Sequence, residues 1–167
     1  MLDSALGVYS FYDGAGNDVP FLRTELLDPE GKPTNTFRAD EPIKCRIIYQ
    51  MLRELSGASV ALTIRDALGG SLWGVRDLDF FPKLYEERKP GTYVYDCNAP
   101  ADILRPGTYQ LGLGVGSGSQ YFHHPADPPL FEVSSNGYWR GTTAILEFQG
   151  ADCPTDGRQA AILVERE

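Results

Sequence analysis

Two histidines stand side by side in the stretch GSGSQYFHHPADPPLFEV, Gly116 to Val133, and the chain has no others. An imidazole can ligate a metal, move a proton or pair with a hydroxyl. Adjacent residues on a strand face opposite ways, so His123 and His124 could share one metal only from a loop. A metal would also want a third ligand, and no further histidine exists to supply it. The H-x-H, H-E-x-x-H and G-x-S-x-G patterns are absent. A nucleophilic triad would need one of these histidines as base, yet nothing in the sequence nominates its nucleophile. The 23 acidic residues allow too many carboxylate pairs to single out a glycosidase centre. Cys45, Cys97 and Cys153 lie far apart without C-x-x-C spacing, which argues against a structural zinc. Cys45 and Cys97 each sit in a strand-like run, where a buried free thiol is the default and a disulfide the alternative. The chemistry on offer is therefore non-catalytic, with no metal and no cofactor.

Recognition fits these residues better. A sugar ring stacks its C–H face on an aromatic ring and pairs its hydroxyls with planar polar groups. Three clusters combine both. SLWGVRDLDFF carries Trp73, Arg76 and Asp77. SQYFHHPAD carries Gln120, Tyr121, His123, His124 and Asp127. SNGYWRG carries Tyr138 and Trp139, beside Asn136 and Arg140. Each has a plainer reading. Trp73 follows a hairpin turn and could be core; Tyr121 to Asp127 could be loop filler; of Tyr138 and Trp139, one would face inward on an extended chain.

The elements that must position them follow a period of two. In IKCRIIYQML, Ile43, Cys45, Ile47, Tyr49 and Met51 share one face, with Lys44, Arg46 and Gln50 on the other. SVALTIRD repeats the pattern with Val60, Leu62 and Ile64, and the ALGG turn leads into SLWGV, so Ser59 to Val75 reads as a hairpin. RTELL, TYVYDCN, TYQLGLGVG, LFEV, GTTAILEFQ and AAILVERE read as further strands, with a short helical turn around Lys83 to Arg88. RPGTY launches the strand at Thr108. This pattern predicts an all-β, Ig-like antiparallel sandwich of about seven to nine strands in one domain over 1–167. In TYQLGLGVG, Tyr109, Leu111, Leu113 and Val115 fall on one face, and Gly112, Gly114 and Gly116 on the other. Three glycines on one face imply a close approach, by large side chains such as Trp73 or Tyr95, or by a ligand.

Composition restricts the partner. The chain's 167 residues suit one core, and a net charge of −8 opposes nucleic acid or an anionic membrane surface in the absence of a basic cluster. No apolar run approaches the roughly 20 residues that span a bilayer, and no secretory signal follows Met1, so the expected location is cytoplasmic.

The ordered set LLDPEG, ADEPIKCRIIY, IRDALGG–SLWGV, DILRPGTYQLGLGV and FEV, over Arg23 to Val133, resembles the C-terminal domain of Wzt. Wzt is the ATP-binding subunit of O-antigen polysaccharide ABC transporters. The resemblance implies a carbohydrate-binding sandwich that holds a nascent polysaccharide on the cytoplasmic side of the membrane. It further implies a homodimer with exchanged terminal strands (within 134–167), working beside an ATPase and a membrane subunit. Residues 1–22 read as an N-terminal extension outside it. No GxxxxGK[ST] loop is present, so the ATPase would lie elsewhere. Two other roles remain open: a dimerisation sandwich that binds no glycan, and an accessory domain of a glycan-modifying enzyme.

Overall fold

The computed structural model describes residues 7–11, 18–117, 120–123, 125–135 and 161–164, with the backbone alone for 120–123 and 161–164. Its strands are β1 (Val8–Ser10), β2 (Phe21–Leu27), β3 (Thr36–Arg38), β4 (Ile43–Met51), β5 (Ser59–Arg65), β6 (Ser71–Arg76), β7 (Gly91–Ala99), β8 (Gly107–Ser117), β9 (Gln120–His123), β10 (Leu130–Ser134) and β11 (Ala161–Val164). One sheet runs β1-β2-β4-β7-β11 and the other β3-β10-β8-β5-β6, with β9 added to β8.

Alternation explains the layering. The pleat sends every second side chain inward. β4 buries Ile43, Cys45, Ile47, Tyr49 and Met51, and β7 buries Tyr93, Tyr95, Cys97 and Ala99. From the other sheet, β5 contributes Val60, Leu62 and Ile64, and β8 contributes Tyr109, Leu111, Leu113 and Val115. These join in one core. Each fully buried aliphatic or aromatic side chain there contributes roughly 1.5–3 kcal/mol. The all-β sandwich is as expected.

Three details differ from expectation. The described strands number eleven, because β1, β3 and β9 are three or four residues long, too short for a periodicity to register. β3 pairs with β10 in parallel, so the sandwich is not wholly antiparallel. Residues read as preceding the family-like region also belong to the sandwich: β1 pairs with β2, and Tyr9, Val19 and Phe21 are buried. The GTTAILEFQ strand reading lies outside the described residues. The helical turn is a 3-10 turn at Pro82–Tyr85, preceded by another at Asp77–Asp79.

One inner strand of each sheet starts with the same device. KPGTY, Lys89 to Tyr93, leads into β7, and RPGTY, Arg105 to Tyr109, leads into β8. The Tyr93 hydroxyl donates to the Lys89 carbonyl at 2.9 Å and the Tyr109 hydroxyl to the Arg105 carbonyl at 2.6 Å. Immunoglobulin-type domains close a corner with a similar tyrosine. Each bond satisfies a buried phenol with the carbonyl four residues upstream, at the point where the chain enters the sheet.

Cys45 and Cys97 are directly opposite each other across β4 and β7 and are buried free thiols. Burial, then the facing thiol of Cys97, pushes the Cys45 pKa well up. Both sulfurs are shut off from solvent, so both should resist alkylation at neutral pH. In a Cys153→Ser variant, iodoacetamide at pH 7.5 should label less than about a tenth of these thiols in the native state and nearly all in urea. Rapid native labelling would show that the core is open there.

Candidate functional site

The second sheet presents its outer face through β6, β5 and β8. Arg76, Ala61 and Gly114 form one rung across these strands, and Gly74, Thr63 and Gly112 form the next. Beyond them Ser59 stands opposite Gly116, and Gly116 opposite Tyr121 of β9. β6 and β9 are thus three strand spacings apart, about 14 Å, with glycine, alanine, serine and threonine between them.

Thr63 explains the central glycines. A Cβ on Gly74 would lie 3.0 Å from the Thr63 methyl, and one on Gly112 would collide with the Thr63 hydroxyl and lie 3.0 Å from Nε of Arg65. Side chains of β5 therefore occupy the space beside Gly112. Neither of the expected residues does so: Tyr95 is wholly buried in the opposite sheet, and Trp73 stands opposite Ile64, on the core side of β6.

The nominated residues separate accordingly. Arg76 is exposed at the end of β6, and its amide donates to the Asp79 carboxylate at 2.7 Å. Trp73 is half-buried against the core, so its ring is not free on the outer face. Asp77 is a correction: its side chain is 0% exposed. Its carboxylate accepts the Val60 amide at 3.0 Å and an Arg88 guanidinium N–H at 2.6 Å, a structural duty that leaves nothing for a ligand. Gln120, Tyr121 and His123 lie on β9, paired with Ser117, Gly116 and Val115 of β8, so the histidine stretch is partly strand and not only loop. Asp127 is exposed between β9 and β10. His124, Tyr138 and Trp139 lie outside the described residues.

Charge is distributed unevenly over the surface. Arg23, Arg38, Arg46 and Arg53 each pair with a carboxylate, those of Glu25, Asp40, Asp96 and Asp18. Among the described residues Arg65 and Arg76 have no carboxylate within 4.0 Å, and Nε of Arg65 has no hydrogen-bond partner. The described residues contain no group of three or more His, Cys, Asp or Glu placed to hold a metal. They contain no helix long and apolar enough to cross a membrane.

This sandwich, from the segment before β2 through β10, coincides with a match to the family described as the Wzt C-terminal domain, over residues 16–145. The chain belongs to the Wzt C-terminal domain family. Among solved structures it is similar to one described as the crystal structure of the C-terminal domain of Wzt. The TM-score is 0.59 at 13% identity, covering 71% of this chain and 74% of that one. That likeness establishes a shared sandwich. No curated protein matches the sequence. An O-antigen transport context follows from the family.

Sequence reasoning missed the residue that fixes the site's flank. Arg88 is fully buried. Besides Asp77, its guanidinium donates to the Tyr49 hydroxyl at 2.7 Å and to the Ala58 carbonyl at 3.1 Å. It also lies 5.9 Å and 6.0 Å from the Tyr49 and Tyr93 ring centroids, within cation–π range. Burial alone would lower its pKa, but Tyr49 and Asp77 outweigh that and hold it above the usual arginine value. In sequence, EERKPG reads as an exposed charge run, and no pattern distinguishes Arg88 within it.

Two outcomes test this geometry. Arg88→Met strands the Asp77 carboxylate and should cost about 3–5 kcal/mol in urea unfolding, with a smaller loss in Asp77→Leu/Arg88→Met. Gly112→Ala should cost about 1–3 kcal/mol, and Thr63→Ala should recover part of it in a double-mutant cycle. Additive effects would mean that Thr63 does not fill the space beside Gly112.

Proposed function

We propose that this domain recognises an O-antigen-like polysaccharide on the outer face of the second sheet, between β6 and β9, and presents it for ABC-transporter export without altering it. The single observation that carries this reading is membership of the Wzt C-terminal domain family, matched over the sandwich itself. The geometry is in keeping. A strip of small residues admits a broad, flat ligand. Arg65 and Arg76 have donors that no carboxylate occupies. Arginine's planar fork suits the paired oxygens of a sugar better than a lysine would. On this reading the partners are the polysaccharide, an ATPase and a membrane subunit, and the location is the cytoplasmic face of the membrane.

Pairing of two copies belongs to the same proposal. β11 adds to the outer edge of the first sheet, antiparallel to β7. An edge strand near the chain terminus is a ready element for joining copies. Sedimentation of the chain with and without 161–167 checks it. A dimer lost on truncation is expected, and a monomer at all concentrations would remove this part.

The test of recognition is titration with the source organism's own polysaccharide, followed by amide chemical shifts. Affinity should be weak for one repeat unit and rise with chain length, and the glycan should be recovered intact. Arg76→Ala and Arg65→Ala should each weaken binding by about fivefold or more, one hydrogen bond to a charged group, without lowering the unfolding midpoint. Cleavage or modification of the glycan would favour an accessory enzymatic role. A dimer indifferent to every glycan would favour a purely structural one.

A further inference from the structure

The segment from Arg76 to Pro90 crosses from the second sheet to the first and is held far more firmly than a connection requires. Arg88 anchors it to Asp77, Tyr49 and Ala58. Backbone bonds join Arg88 to Leu55 in both directions, at 2.9 and 3.0 Å, and the Gly57 amide to the Tyr85 carbonyl at 2.6 Å. Its outer side, with Tyr93 of β7, forms an open groove of about 800 Å³. That volume falls within the roughly 300–1,000 Å³ of small-ligand sites, which are commonly apolar and already formed.

The lining specifies a ligand. Phe80, Phe81 and Leu84 are half-buried and line it together with Pro82, and most of the lining is apolar. The Tyr93 hydroxyl is spent on the Lys89 carbonyl, which fixes the ring. Lys89 pairs with Glu87 at 3.3 Å. Glu86 and Lys83 also line the groove, so two cations meet two carboxylates and the lining carries no net charge. That balance favours neither an anion nor a cation. A neutral ligand with one apolar side and one hydroxylated side finds rings for the first and an ammonium and a carboxylate for the second.

We infer that this groove is a second sugar subsite, taking a neutral unit with an apolar substituent, a 6-deoxy or N-acetyl sugar. The inference rests on the polysaccharide reading above and assigns part of that chain to a place distinct from the outer strip. Firm anchoring lets the rings wait in position, which reduces the ordering cost of a weak contact.

The experiment uses the full isotope-labelled chain, titrated separately with L-rhamnose, N-acetylglucosamine, glucose and the source organism's polysaccharide. Rhamnose or N-acetylglucosamine should shift the amides of Phe81 to Glu87 at concentrations where glucose does not. Phe81→Ala and Lys83→Ala should each weaken polysaccharide binding by about three- to tenfold. Lys83 is exposed, so Lys83→Ala should fold normally and keep the test sound if Phe81→Ala does not. If the polysaccharide shifts Ala61 and Gly114 while Phe81 to Glu87 stay still, the groove subsite is overturned and the outer-face reading stands. If glucose shifts the groove as strongly as rhamnose and N-acetylglucosamine, the apolar selection is overturned. If the polysaccharide shifts nothing, both readings fall.

Discussion

The ion pair between Arg88 and Asp77 is the constraint on which the crossing between β6 and β7 depends. Both side chains are 0% exposed, and removing two charges from water costs several kcal/mol each unless their partners are nearly complete. Here they are. The carboxylate receives a backbone amide from β5 and a guanidinium N–H, and the guanidinium adds a phenol of β4, a carbonyl and two aromatic faces. Only Nε of Arg88 lacks a partner. An apolar pair of similar volume could fill the same space, so packing alone does not account for the charges. What the charges add is direction: each group accepts partners at few angles. That ties the crossing between β6 and β7 to β4 and β5 in one arrangement.

That arrangement joins the outer strip to the groove. Asp77 follows directly on Arg76, at the rim of the outer strip, and Arg88 closes the segment that forms the groove. A shift in the pair would move both at once. The surfaces differ in chemistry. The strip has small side chains and uncommitted guanidinium donors, whereas the groove has rings and balanced charge. On the proposed reading, that variety suits a heteropolymer whose units differ along its length.

Much of the fold was legible because burial on one side of a pleat leaves a mark at every second residue. β4, β5, β7 and β8 each bury three to five alternating side chains, and their sequence boundaries came within a residue or two. The parallel contact of β3 with β10 involves three residues, too few for a period, and is set by tertiary contact. The site was less legible for a different reason. A residue type declares what it could bind but not whether a partner inside the protein already holds it. Asp77 and Arg76 are neighbours in the same polar run; one is sealed in the core and the other faces solvent. Gly112 of β8 did signal a close approach, but the approaching groups were Thr63 and Arg65, residues with nothing unusual about their own context. The resemblance over Arg23 to Val133 lies within the family match over 16–145.

The paired PGTY starts have an evolutionary meaning. Each tyrosine reaches back only four residues, so the beginning of β7 or β8 is defined by a self-contained pentapeptide. Upstream of Arg88 in the one case and of Arg105 in the other, the chain can change length or composition without displacing the strand that follows. The groove-bearing segment lies immediately upstream of one such start. Between the buried anchors Asp77 and Arg88, that segment could therefore vary while the same scaffold is inherited.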